Sequence, residues 1–67
     1  MRDDPLYMKV KKALKAGDQP RTAREIATAF DRSESQATRV LEWMTNIENP
    51  PSMAEIPHSS PKQWVRI

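Results

Sequence analysis

Apolar positions recur along the chain in three stretches with helical spacing, followed by two short stretches of strand-forming composition. In the first, over about residues 4–16, Leu6, Val10, Ala13 and Leu14 form one stripe with Tyr7 on its flank. Lys11, Lys12 and Lys15 fall on the opposite side. Asp4 is suited to the N-cap, Pro5 to the first helical position and Gly17 to a left-handed residue past the end. In the second, over about 22–30, Ala23, Ile26, Ala27 and Phe30 stand at i, i+3, i+4 and i+7. Thr22 and Glu25 make a T-x-x-E capping box at its start. In the third, over about 33–47, Ala37, Val40, Leu41 and Met44 repeat that spacing, Ile47 extends the stripe, and Ser33 with Gln36 makes a second capping box. Only Asp31 and Arg32 separate the second helix from the third, the spacing of a helix-turn-helix.

The last third, 52–67, changes character. Pro50 and Pro51 stop the third helix, Met53–Ile56 reads as a short strand, and Gln63–Ile67 is a better one, with Trp64, Val65 and Ile67. Pro57–Lys62 is then the loop of an irregular hairpin. A lone hairpin is unstable in water, so this ribbon must pack on the helices, with Trp64 as its anchor. The expected architecture is one domain over 1–67, mainly α with a small β-hairpin. Composition alone is ambiguous, since 37% of residues are hydrophobic and 30% charged. The stripes resolve the ambiguity in favour of a packed domain. A chain of this length buries only about 60% of its unfolded surface.

The candidate chemistry is sparse. There is no cysteine, His58 is the only histidine and Gly17 the only glycine. A disulfide framework, a Cys-containing zinc site, a Ser/His/Asp triad and a glycine-rich phosphate loop therefore lack their parts. No apolar run approaches the ~20 residues that span a bilayer, and no signal peptide opens the chain. The expectation is a cytoplasmic, non-enzymatic protein with no catalytic residues, metal, cofactor, small-molecule substrate or membrane partner.

The net charge of +2 conceals an asymmetry. Residues 1–24 carry seven Lys and Arg, including Arg2, against three Asp. Residues 25–46 carry Arg32 and Arg39 against four acids, and residues 47–67 balance. Positive charge is thus concentrated in the N-terminal third, which favours a polyanionic partner.

The run Thr22-Ala23-Arg24-Glu25-Ile26-Ala27, then Phe30, then Ser33, Ala37, Arg39, Leu41 and Met44, resembles the helix-turn-helix of bacterial winged-helix regulators. That class pattern aligns without a gap from Thr22 to Thr45. With the preceding helix and the following hairpin, the resemblance in element order covers nearly the whole chain. Its size is most similar to the small winged-helix regulators of fimbrial operons and to compact phage and plasmid regulators. Two positions depart from the class, which usually has glycine where Asp31 stands and a branched apolar residue where Arg32 stands. Asp tolerates the left-handed conformation. Arg32 must either snorkel or be exposed to meet a phosphate.

The resemblance implies a transcriptional regulator of double-stranded DNA, associated with the nucleoid, whose third helix enters the major groove. A helical wheel sets Ser35, Thr38, Arg39, Glu42 and Asn46 opposite the apolar stripe, with Gln36 on one shoulder. Ser35, Gln36, Thr38 and Arg39 are the expected base contacts. Arg21, Thr22, Arg24, Arg32, Lys62 and Arg66 are the expected backbone contacts, helped by free N–H groups at the start of the second helix. His58, Ser59 and Ser60, at the tip of the hairpin, read as loop residues. Against this stands the third helix's net negative charge, with Glu34 and Glu42 facing one Arg39. The alternative is a protein-interaction module, a homodimer or partner binder, using Val40, Trp43 and Ile47 with the acidic shoulder. Trp43 has a plainer role open to it, packing under the ribbon against Trp64.

Overall fold

The computed structural model describes residues 3–67; Arg2, counted above in the basic third, lies outside them. Three helices and a small antiparallel sheet follow one another as α1 (Pro5–Ala13), β1 (Arg21–Thr22), α2 (Ala23–Phe30), α3 (Glu34–Asn46), β2 (Met53–Glu55) and β3 (Gln63–Arg66). The expected hairpin is thus part of a three-stranded sheet in the order β1-β3-β2. Arg21 pairs with Trp64 and Thr22 with Gln63 on one side of β3. On the other side Met53 pairs with Arg66 and Glu55 with Trp64.

Each helix begins as its sequence dictates. The Asp4 carboxylate accepts from the Leu6 N–H at 2.8 Å, with Pro5 at the first helical position. Both capping boxes of α2 and α3 are formed. The ends are less regular. α1 stops at Ala13 rather than near residue 16, because Leu14 turns extended and Lys15–Asp18 closes a separate turn. In that turn the Asp18 carboxylate accepts from the Lys15 N–H, and Gly17 supplies its positive φ of 96° there rather than at the helix terminus. Ala13 is consequently exposed, while Leu14 still reaches the core.

α2 ends on Asp31, which is left-handed at φ 55° and ψ 53° and thereby does what glycine does elsewhere. The Ala27 carbonyl accepts from the Arg32 N–H, the 6→1 bond of a Schellman motif, and from the Asp31 N–H, the 5→1 bond of an αL cap, and the chain reverses directly into α3.

The core is one cluster drawn from all three helices and the ribbon. Leu6, Tyr7, Val10, Leu14, Ala23, Ile26, Ala27, Ala37, Val40, Leu41, Met44, Met53 and Trp64 are buried. Trp64 is the expected anchor, at 2% exposure. Trp43 sits elsewhere than under the ribbon. It lies half-buried on α1, edge-to-face with Tyr7 at 5.3 Å and 84°. Two further readings are corrected by packing. Val40, part of the apolar stripe but also named as a possible interface residue, is 1% exposed and belongs to the core, because α3 packs against α2, β2 and α1 at once. Ile47 is the C-cap, beyond the reach of that arc, and is 68% exposed.

Just past α3, Glu48 turns its carboxylate inward to 11% exposure. It accepts from the Tyr7 hydroxyl and the Ser52 hydroxyl, and from Lys11 Nζ at 3.0 Å. Lys11 Nζ also donates to the Tyr7 oxygen at 2.9 Å and lies 5.3 Å from its ring centroid. Lys11 is therefore tied to this cluster and not simply part of a solvated face. Burial pushes the Glu48 carboxyl up, but the bonds from Ser52, Tyr7 and Lys11 outweigh it and hold the group below its ordinary value. Lys11 is held above its own, first by its bond to Tyr7 and then by that to Glu48.

Two measurements test this packing. Leu41→Ala should cost about 2–5 kcal/mol in urea denaturation, whereas Ile47→Ala should stay within about 0.5 kcal/mol. Glu48→Gln should destabilise by about 1–3 kcal/mol at neutral pH. A lowered carboxyl contributes its stability above the unfolded value of 4.5 and loses it as pH falls through the folded one. The gap between wild type and Glu48→Gln should therefore close in acid. Lys11, whose value is raised, holds its contribution below 10.5 and loses it only in stronger alkali.

Candidate nucleic-acid interface

With its apolar arc turned to α1, α2 and β2, α3 presents a polar outer face. Ser35, Gln36, Arg39, Glu42 and Asn46 are exposed, and Thr38 is half-buried. Ser35, Thr38, Arg39, Glu34, Glu42 and Asn46 line one shallow open groove, which Trp43 and Ile47 continue toward the end of the helix. Gln36 lies off this groove. Its side-chain carbonyl accepts from the Ser33 N–H at 3.3 Å while the Ser33 hydroxyl accepts from the Gln36 N–H at 3.1 Å. The capping box that starts the helix thus occupies half of an expected base-contacting amide.

A second cleft runs between the start of α2, α3 and the ribbon loop. It is lined by Thr22 and Arg24 from α2's entry, Glu34, Thr38 and Glu42 from α3, and Pro61 and Lys62 from the loop, with Trp64 beside them. The sheet accounts for this placement. β1 runs directly into the N-cap of α2, so its pairing with β3 fixes the ribbon next to the α2 N-terminus. Of the residues expected to bind DNA, Thr22, Arg24, Thr38 and Lys62 converge here, and Ser35 and Arg39 adjoin through α3.

The remaining cations are arranged differently. Arg21 is half-buried on β1 and donates to the Gln19 carbonyl at 3.0 Å. Arg32 neither enters the core nor stands free. It is half-buried at the α2–α3 turn, with Nη1 donating to the Asp31 carbonyl at 3.4 Å. Arg66 is committed to the sheet, where its Nη1 donates to the Ser52 and Ile67 carbonyls at 3.1 Å and its Nε is buried without a partner. Arg66 was expected to meet a phosphate; here its Nη1 instead closes the end of the ribbon. In the loop, the Ser59 hydroxyl donates to the Ile56 carbonyl and accepts from the Gln63 N–H, and His58 is left-handed at φ 62°.

The wheel places Glu42 and Asn46 on the outer face, but residue type alone gave no reason to prefer them over Gln36. Glu42 and Asn46 line the groove by their position on α3, while Gln36 lies off it and is engaged in capping. Lys62 and Arg24 are neighbours across the cleft only because of β1. Among the described residues, no helix is long and apolar enough to cross a membrane.

Replacing Ser33 with Ala should remove the cap bond from the Gln36 N–H, while the backbone N–H at position 33 still holds the Gln36 side-chain carbonyl. The expected cost is about 0.5–2 kcal/mol in chemical denaturation. Ser35→Ala, on the same turn but without a capping bond, should change stability by less than about 0.5 kcal/mol. Comparison with protein-family models, with curated proteins and with solved structures yields no match for this chain.

Proposed function

We propose that this chain is a small, non-enzymatic transcriptional regulator of the winged helix-turn-helix type that binds double-stranded DNA. In this reading α3 enters the major groove and the ribbon loop lies on the flanking backbone. One observation carries it. The polar face of α3, the N-terminus of α2 and the ribbon loop border one another, with Arg24 and Lys62 lining the cleft between them. A duplex seated on α3 would bring a flanking phosphate to the cleft that Arg24 and Lys62 line. The α2 capping box satisfies the Glu25 N–H and leaves those of Ala23 and Arg24 for an external acceptor such as a phosphate oxygen. The resemblance of residues 22–45 to bacterial regulators points the same way.

Fluorescence anisotropy with a random duplex at two salt concentrations tests the proposal. Affinity should fall steeply with salt, by a log–log slope of about 0.9 per phosphate contact. Arg24→Ala should lower affinity for all sequences and reduce that slope by about 1. Arg39→Ala should instead erase sequence preference. Absence of duplex binding at low salt would overturn the proposal.

A second reading, a protein-interaction module, is favoured by one feature. Trp43 and the exposed Ile47 continue the α3 groove beside Glu42. It predicts self-association by analytical ultracentrifugation, weakened by Ile47→Asp. A monomer at high concentration would remove the homodimer form of this reading.

A further inference from the structure

We infer that the reading face of α3 selects a G·C-containing step, with Arg39 on guanine and Glu42 on cytosine, so that Glu42 is a specificity-determining residue. The inference rests on the DNA-binding proposal and goes beyond it, since it names the bases.

The position of Glu42 comes first. At 3.6 residues per turn, Ser35, Asn46 and Arg39 fall about 20°, 40° and 60° to one side of Glu42 around the helix, and Thr38 and Glu34 about 40° and 80° to the other. Glu42 is thus at the middle of the exposed face, and it lines both the α3 groove and the cleft toward Lys62. No duplex that reaches Ser35 and Arg39 can avoid it.

The hydrogen-bonding capacity of the face decides what that means. An ionised carboxylate only accepts and a guanidinium only donates. Among the described residues, neither Arg39 nor Glu42 is engaged in an ion pair, since the one such pair is Lys11–Glu48. In the major groove guanine offers two acceptors, O6 and N7, and cytosine offers the N4 donor. One G·C pair therefore presents what Arg39 needs beside what Glu42 needs. Residues three apart on a helix rise about 4.5 Å, close to the 3.4 Å step of one strand. Arg39 and Glu42 are thus spaced for one base pair or two adjacent ones.

Adenine, by contrast, is less well served beside Arg39. Its bidentate partner is an amide that donates to N7 and accepts from N6; the Gln36 carbonyl is already held by the Ser33 N–H, and the other amide of the face, Asn46, is the last residue of α3, a full turn beyond Glu42. The acidity that argues against DNA binding in general thereby becomes a filter. Glu42 repels phosphate, and a cytosine amino group at its position offsets that repulsion.

The experiment is a selection from a randomised duplex library with the full chain, comparing wild type, Glu42→Gln and Arg39→Ala. Wild type should enrich a guanine and a cytosine at the same or adjacent base pairs. Glu42→Gln should lose the cytosine preference by between about fivefold and a hundredfold, the worth of one good base contact. It should admit adenine at that position and keep the guanine. Arg39→Ala should lose the guanine preference. Enrichment of A·T sequences, or binding without preference, would overturn the inference while leaving DNA binding intact. So would a Glu42→Gln variant that binds every sequence more tightly by the same factor, which would make Glu42 only a repulsive charge. Failure of wild type to bind any duplex at low salt would overturn the underlying proposal instead. Glu42 is exposed, and a thermal melt of each variant verifies that the fold is kept.

Discussion

The Glu48 carboxylate is the knot on which the arrangement of the domain depends. It lies one residue beyond the C-cap of α3, and through Tyr7 and Lys11 it reaches α1, more than 35 residues earlier in the chain. Through Ser52 it reaches the entry to β2, and the Ser52 carbonyl in turn accepts from Arg66 and from the Ile67 N–H at the end of β3. Removing a carboxylate from water is costly, and its bonds offset that cost without leaving a large surplus. Its effect lies in selecting one placement of α1 and the ribbon against α3, since an apolar contact tolerates sliding and a satisfied network does not. With α3 held from these sides, its remaining face has no partner within the domain.

The turn between α2 and α3 is the second constraint. Asp31 in the left-handed region and the shared Ala27 carbonyl make the reversal with two residues, and Arg32 stays at the rim. A glycine there would reach the same conformation with less strain in isolation but more freedom in the unfolded chain. Asp31 and Arg32 thus make the reversal themselves and add an acid and a base to the edge of the α2–α3 turn.

What was legible in the chain follows from how local each determinant is. The starts of α1, α2 and α3 are set by Asp4-Pro5, Thr22-x-x-Glu25 and Ser33-x-x-Gln36, all within four residues, and each is formed as expected. The two ribbon strands and the burial of Trp64 were legible for a related reason, because a β-rich segment this short must lean on something. β1 was not, since two residues carry no periodicity and Arg21–Thr22 is a strand only because β3 arrives beside it. Lys11 was assigned to solvent because its partner lies 37 positions away, and Val40, though read in the stripe, was left open to an interface because a wheel cannot say how many neighbours a helix has. In the site, Ser35, Thr38 and Arg39 were legible from the same wheel. The commitments of Gln36 and Arg66 were not, since each depends on bonds that only the folded chain makes.

The prolines complete the account of the sheet. A three-stranded sheet in the order β1-β3-β2 has two open edges, and each is a row of unpaired amides on which a second chain could extend. Pro20 immediately precedes β1, which α2 ends after two residues, and Pro51 and Pro57 leave five residues around β2, so both edges are short and flanked by a missing N–H. Glu55, exposed at the end of β2, adds a charge to the same edge. A domain of this size buries a smaller share of its unfolded surface than a large one, so open strand edges are a greater liability to it. Short, proline-stopped edges give it protection from cross-β assembly that its size alone would not provide.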